Sequence, residues 1–199
     1  MKILCLSAVF LLGWSVPTFA AEEVAAARSA KVEQLLQAKK CIRCDLTGID
    51  LSGLSLQGFI LSGSQLAEAN LTAVQASKSK LYRVKAHGAD FSRADLQDAA
   101  LEDADLAGSR FVDAHLAHTN FKQANLANAD FSGANMQRAY LEGAFLRGAN
   151  LRGVDLRGAT LFGANVQETQ WQGARLDGAF WNNGHRCAEG SVGECIIKP

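Results

Sequence analysis

Two pairs of cysteines are the first residues of this chain whose spacing could support chemistry. Cys41 and Cys44 form a C-x-x-C pair, and Cys187 and Cys195 lie near the end of the chain. A C-x-x-C pair can exchange thiols for a disulfide, so a thiol–disulfide redox protein is one hypothesis. In redox folds the motif begins a helix, whereas here it follows a segment with helical spacing. We therefore favour a structural bridge over redox catalysis.

Two histidines, each 20 residues after an aspartate, offer a possible metal site. The pairs are Asp95 with His115 and Asp98 with His118. Two carboxylates and two imidazoles can bind a divalent ion. The favoured alternative is that they are ordinary surface pairs, so we predict no metal and no other cofactor. No spacing brings Ser, His and Asp together as a triad, and we predict no catalytic residue and no enzyme activity.

A short basic run provides a candidate surface for a partner. It comprises Lys78, Lys80, Arg83 and Lys85. Aspartates follow three of these residues at a distance of 20, so ladder salt bridges are the alternative to a partner-binding patch.

The beginning of the chain resembles a secretory signal. Lys2 precedes an apolar run that ends before Pro17, and small residues follow, so we predict a signal peptide over 1–20 with cleavage between Ala20 and Ala21. Without Lys2 the 20 basic residues become 19 against 20 acidic ones, a net charge of −1, which favours no nucleic-acid partner. We expect an exported protein without membrane insertion after cleavage. The periplasm is the favoured compartment, with secretion and a thylakoid lumen as alternatives, and the remaining cysteines are expected to pair there.

A five-residue register must position all these groups. A large apolar residue, mostly Leu, recurs every fifth position from Leu46 to Trp181, which gives 28 units over residues 44–183. Of the 18 glycines, 14 lie in these units, and all 14 come two residues after the apolar centre. Glycine confined to one phase indicates a tight turn with positive φ. Each unit is therefore predicted to be a very short extended piece followed by a turn.

Charges indicate how many units form one coil. Residues on stacked coils are neighbours, so opposite charges should recur at the coil length. A separation of 20 gives ten opposite pairs and no like pair, which predicts four units per coil and seven coils. The same spacing stacks Phe91, Phe111 and Phe131 as a core ladder. The ten pairs are Lys78/Asp98, Arg83/Asp103, Lys85/Asp105, Asp90/Arg110, Arg93/Asp113, Glu102/Lys122, Arg110/Asp130, Lys122/Glu142, Asp155/Arg175 and Arg157/Asp177.

The pattern resembles the pentapeptide repeat family, whose unit is A(D/N)LXX. The segments "ADFSRADLQDAALEDADL" at 89–106 and "ANLANADFSGANM" at 124–136 carry the resemblance, which extends over 44–183. It implies an all-β solenoid, a right-handed quadrilateral β-helix. The match is weaker before residue 89, and "TAVQASKSKLYRVKAHG" at 72–88 has alanine at two centres, so we expect irregular coils there.

The two ends resemble those of exported members with cysteine-bearing caps. We predict a short helix within 22–40 as part of an N-terminal cap over 21–43, and a C-terminal disulfide cap over 184–199. The two cysteine pairs then lie at opposite ends of a rod, which excludes a four-cysteine zinc site and leaves the bridges Cys41–Cys44 and Cys187–Cys195.

These observations predict an exported, non-enzymatic scaffold that presents its surface to a protein partner. The resemblance also implies an alternative, a DNA mimic that binds DNA topoisomerases, and the redox protein remains a third hypothesis. The pattern names neither a particular partner nor an oligomeric state.

Overall fold

The computed structural model describes residues 30–197. It contains one helix, α1 (30–38), followed by a coil in which every fifth residue forms a single-residue parallel β-bridge. Two-residue turns separate these bridges, so the described part of the chain contains no longer strand. The predicted signal peptide, its cleavage site and residues 21–29 of the predicted N-terminal cap lie outside the described residues. Between residues 30 and 197, no helix has the length and apolar content needed to cross a membrane.

Each bridged residue pairs with the residue 20 positions later, so one coil takes 20 residues and has four faces. The pairs run without interruption from Lys40 with Ile60 to Thr160 with Phe180. We number the faces by their bridged residues, which recur every 20 positions. The first face includes Asp45, the second Asp50, the third Ser55 and the fourth Lys40 and Ile60.

The hydrogen bonds of one unit explain the five-residue pattern. The N–H of Leu46 donates to the carbonyl of Gln65 on the next coil at 2.8 Å, and Ile49 closes the turn by donating to Leu46 at 3.2 Å. The Asp45 carboxylate accepts the N–H of Thr47 at 3.1 Å. Asp or Asn before the core residue therefore caps a turn N–H that the backbone ladder does not use.

The third turn position has positive φ whether or not it is glycine. Gly48 has φ of 60°, and Ala73, Arg93 and Asp98 have values of 55°, 58° and 57° at the same position. The coil therefore imposes a left-handed conformation on many side-chain-bearing residues.

The interior is filled by the large centres and the small residues two places before them. Phe111 is fully buried and stacks on Phe91 and Phe131, with ring centroids 4.9 and 4.8 Å apart. Phe121 meets Phe111 and Phe131 edge-on at 6.0 and 6.1 Å. Offset and edge-on contacts of this kind add to the free energy gained by burial.

Residues 72–88 form a regular coil, so the expectation of irregular coils there was wrong. Their bridges continue through Gln75, Lys80 and Lys85. Ala76 and Ala86 are buried centres that fill less space than leucine. The preceding small positions carry Val74 and Val84, which are fully buried and supply the missing volume.

Both ends of the coil are covered. The coil begins one unit before residue 44, because Cys41 donates to the carbonyl of Ile60 as a centre residue does, and α1 buries Leu35 against it. After residue 183 the tail turns back, and its antiparallel bridges join Val192 to Arg175 and Arg186 to Phe180. The cysteines lie in two pairs: Cys41 and Cys44 have Cα atoms 5.6 Å apart, and Cys187 and Cys195 have Cα atoms 5.0 Å apart.

Candidate protein-binding face

Only three of the five positions in a unit reach the surface. The centre and the small residue two places before it point inward and are buried in nearly every unit. The bridged residue and the two turn residues carry the side chains available to a partner. The residues that determine function must therefore be sought among these outward positions, which recur on the same face every 20 residues.

The large apolar side chains exposed along the coil are concentrated on one side. The fourth face and the corner that follows it carry five of the six such side chains in residues 40–181, and Phe145 lies just past the same corner. The five are Ile42, Tyr82, Tyr140, Phe162 and Phe180, with exposed fractions of 48%, 37%, 41%, 59% and 45%.

The fourth face also departs from the turn-capping pattern of the repeat. Asp or Asn occupies 4 of 7 bridged positions on the first face, 5 of 7 on the second and 3 of 7 on the third, but only 1 of 8 on the fourth. Asn120 is the exception, and its side chain accepts the N–H of Lys122 at 3.1 Å. The bridged residues of the fourth face are Lys40, Ile60, Lys80, Ala100, Asn120, Tyr140, Thr160 and Phe180.

The second half of the fourth face is aromatic. Tyr140 is bridged to Thr160, and Thr160 to Phe180, on three successive coils. The Lys122 ammonium lies 5.3 Å from the centre of the Tyr140 ring, and the Arg186 guanidinium lies 6.0 Å from that of Phe180. This half therefore combines exposed aromatic rings with cationic groups at its edges, and the rings and Arg186 belong to the residue types enriched at protein interfaces.

The first three of the eight units on the fourth face are basic. Residues 39–43, 59–63 and 79–83 contain five Lys or Arg residues and no Asp or Glu. In the same three coils, each of the other faces carries two carboxylates. The five cations are Lys39, Lys40, Arg43, Lys80 and Arg83.

The basic run singled out in the sequence spreads over more than one face. Lys80 lies on the fourth face and Arg83 at its following corner, whereas Lys78 lies at the preceding corner and Lys85 on the first face. Arg83 also forms an ion pair with Asp103 at 3.2 Å. Two members of the run therefore belong to the three basic units of the fourth face.

Four of the ten charge pairs expected at a separation of 20 form ion pairs within 4 Å. They are Arg83–Asp103, Arg110–Asp90, Lys122–Glu142 and Arg175–Asp155, at 3.2, 3.6, 3.4 and 3.7 Å. Some remaining aspartates are engaged by other partners. Asp105 accepts from Asn125 at 3.0 Å, and Asp130 accepts from Asn150 at 2.9 Å.

Asp155 is the carboxylate with the richest set of partners. Partial burial raises its pKa, but hydrogen bonds from Arg157 at 2.7 Å and Gln137 at 2.9 Å outweigh that effect and hold the pKa of Asp155 below its ordinary value. The pKa values of Asp45 and Asp50 are also lowered by their hydrogen bonds with Thr47 and Ser52.

The candidate metal residues meet only in part. His115 Nδ1 lies 3.3 Å from Asp95 Oδ1, whereas Asp98 and His118 occupy turn positions at the next corner. In residues 30–197, no three His, Cys, Asp or Glu side chains come together in a group that could hold a metal ion. The Asp95–His115 pair is therefore a single surface contact.

A buried serine holds the C-x-x-C turn in place. Ser64 Oγ accepts the N–H of Cys44 at 3.1 Å and donates to the carbonyl of Cys41 at 2.8 Å. Leu35 of α1 is buried at the same end of the core, and Cys41 and Cys44 also pack against the core. The surroundings of this pair are thus those of an end cap.

The aromatic half of the fourth face did not emerge from sequence reasoning, although a signal for it exists. Reading the bridged positions in steps of 20 places Tyr140, Thr160 and Phe180 in one column. That column has Asp or Asn at only 1 of its 8 bridged positions, so its departure from the repeat marks the face.

Comparison with known proteins gives a clear family match. The profile of pentapeptide repeats matches in eight copies, over residues 44–81, 77–111, 109–148 and 143–178. No curated protein matches the chain.

Solved structures with similar coils are distant in sequence. HetL, a pentapeptide repeat protein involved in heterocyst differentiation regulation from the cyanobacterium Nostoc sp. strain PCC 7120, is 22% identical over 79% of this chain and 98% of its own, with a TM-score of 0.34. Full-length QnrB1, a plasmid-mediated fluoroquinolone resistance protein, is 17% identical over 70% of this chain and 83% of its own, with a TM-score of 0.47. A pentapeptide repeat protein from the Arabidopsis thaliana thylakoid lumen is 26% identical over 47% of this chain and 65% of its own, with a TM-score of 0.33.

Proposed function

The chain belongs to the pentapeptide repeat family, and on that premise we propose that it is an exported, non-enzymatic scaffold that binds a protein partner along its fourth face. The observation that carries the proposal is the concentration of exposed apolar side chains on that face. Exposed aromatic residues that cluster on one side of a soluble rod cost solvation free energy unless a partner covers them.

The loss of turn caps supports the same face. The other three faces retain Asp or Asn at 12 of 21 bridged positions, where those side chains stabilise the fold. On the fourth face, Asn120 caps its turn, and the other seven bridged positions, Tyr140 and Phe180 among them, carry neither Asp nor Asn. Departure from a local stabilising rule without a folding gain is typical of a functional surface.

Export and the remaining features of the architecture complete the proposal. The signal peptide is removed after Ala20, and the mature coil winds right-handed through seven turns, about 34 Å at the usual strand spacing. In an oxidising compartment the bridges Cys41–Cys44 and Cys187–Cys195 close the two caps. The DNA mimic and the thiol–disulfide redox protein are the alternatives, and the exposed rings and cations of the fourth face favour a protein surface as the partner.

Capture by variants of the protein tests the proposal. Phe162 is the most exposed of these side chains, at 59%. Phe162→Ser should therefore leave the unfolding temperature unchanged, and the variant should no longer capture the partner that the wild type captures from the exported fraction. Arg152→Ser is the matched control, because Arg152 is exposed at the same position of the unit on the second face. A partner captured equally by wild type and Phe162→Ser would contradict the proposed binding face. A mature N-terminus other than Ala21 would contradict the proposed removal of the signal peptide.

A further inference from the structure

A groove lies at the corner of the fourth face, between the first and third coils. It encloses about 400 Å³ and is lined by Ile42, Arg43, Ser62, Gly63, Tyr82 and Arg83, with Asp103 at its edge. Gly63 forms its floor: a Cβ added there would lie 3.1 Å from Arg43 Cγ. The missing side chain on the middle coil thus leaves a notch between two arginines on the coils to either side.

The charge of this region differs from that of the rest of the same coils. The first three fourth-face units contain five cations and no carboxylate, whereas each other face of these coils carries two carboxylates. The next fourth-face unit adds Glu102 and Asp103, and Asp103 lines the edge of the groove. Within residues 30–197, Arg43 forms no ion pair, and Arg83 pairs only with Asp103, on the coil beyond the groove. Arg43 therefore brings to the groove a positive charge that no carboxylate of the described residues neutralises, whereas Asp103 pairs with Arg83.

The walls add apolar contact to this charge. Ile42 and Tyr82 occupy the same column on the first and third coils and expose 48% and 37% of their surface. An inorganic anion would use the arginines but not these walls. A peptide in an extended conformation would use both, because side chains at alternate positions, about 7 Å apart, point to the same side. An acidic side chain could then meet Arg43, whose charge is not paired within residues 30–197.

We propose that this groove binds an extended acidic segment of the protein partner, with an apolar side chain held between Ile42 and Tyr82. The inference rests on the proposed function and adds the chemistry of the segment that the partner contributes. Arginine suits this role because its planar guanidinium donates two parallel hydrogen bonds to one carboxylate. Gly63 is required because a side chain there would fill the notch.

Binding of short peptides to the purified protein tests this inference. The probe is a fluorescent peptide of glutamates with one central leucine, and its binding is followed by anisotropy at two salt concentrations. We expect Arg43→Gln to weaken binding about tenfold, and added salt to weaken it further in the wild type. Tyr82→Ala should weaken binding while leaving the salt dependence as it is.

Arg93→Gln is the matched control, because Arg93 is an exposed arginine at the same turn position on the second face, with φ of 58° against 57° at Arg43. Binding that is equal for the glutamate peptide and its glutamine counterpart would overturn the inference. Equal loss in Arg43→Gln and Arg93→Gln would do the same, as would inorganic phosphate that displaces the peptide at low concentration. Phe162 lies four coils beyond Tyr82, so its effect on partner capture is read separately from the groove.

Discussion

The residue two places after each core centre experiences the strongest backbone constraint in this protein. Arg43, Ala73 and Asp98 hold φ near 57°, 55° and 57° there, as glycine does in other units. A side chain in this region costs about 1–2 kcal/mol through its Cβ. The fold tolerates that cost because each unit donates three backbone hydrogen bonds to neighbouring coils, such as those of Gln65, Leu66 and Glu68.

A matched pair of substitutions should show this constraint. Ala73→Gly should raise the free energy of unfolding by about 0.5–1 kcal/mol, because relief of the left-handed strain exceeds the added entropy of the unfolded chain. Gly108→Ala should lower it by about 1 kcal/mol, since a Cβ at Gly108 meets nothing within 4 Å and only its φ of +66° opposes the change. Denaturant unfolding measures both. Effects of equal sign would contradict the account.

The lowered pKa of Asp155 predicts how stability depends on pH. A carboxyl group whose pKa is depressed in the folded state adds stability above the unfolded value near 3.8, and that stability is lost as the pH falls through the folded pKa. Asp155→Asn should therefore cost about 1 kcal/mol at pH 7, and the difference from wild type should shrink as the pH falls below 4. Unfolding at a series of pH values checks this. A difference that does not change with pH would show that the charge of Asp155 is not involved.

At the scale of the element, each face is a column of equivalent units that can be compared position by position. On the second face, Asp50 and Asp90 accept the N–H two residues ahead at 3.0 and 2.8 Å. On the fourth face, Thr160 stands two residues before Phe162, and within residues 30–197 no side chain accepts the N–H of Phe162. The fourth face thus has less turn capping and more exposed ring surface.

Restoring the cap at one position of the fourth face should stabilise the fold. Thr160→Asn places an amide oxygen where it can accept the N–H of Phe162, and we expect a gain of about 0.5–1 kcal/mol in the free energy of unfolding. Thr160→Val keeps the shape without the acceptor and serves as the control. If Asn is no more stable than Val at this position, capping does not explain why Asp and Asn predominate on the other faces.

Much of the fold could be predicted from the sequence, because a period of five with glycine in one phase specifies turn and core positions independently of distant contacts. The spacing of 20 between opposite charges likewise matched the bridged residues. Compensation between columns escaped prediction: Val74 and Val84 make up the volume that Ala76 and Ala86 lack, and this appears only once both columns are known to point inward. The role of Ser64 also escaped prediction, because its hydrogen bonds to Cys44 and Cys41 join residues 20 and 23 positions apart in the sequence.

The whole molecule divides its side chains between two tasks. The inward columns form a continuous core in which residues such as Phe111 are completely buried, and the coil-to-coil ladder uses the backbone. What remains for recognition is the outer surface, and its four faces share one backbone geometry. They differ in side chains alone: one face is basic at its first coils and aromatic at its last, and the other three are mainly polar, with the exposed Phe145 on the first face as an exception.

Crosslinking from four successive corners of one coil tests the central claim most directly. Four residues occupy the same position in four consecutive units. They lie at the corners that follow the first, second, third and fourth faces and are, in that order, Arg147, Arg152, Arg157 and Phe162. A photo-reactive residue is introduced at each position in turn, in cells that make the protein. The account predicts a crosslinked partner from position 162 and none from position 152. Equal crosslinking from all four positions, or from position 152 instead of position 162, would contradict it.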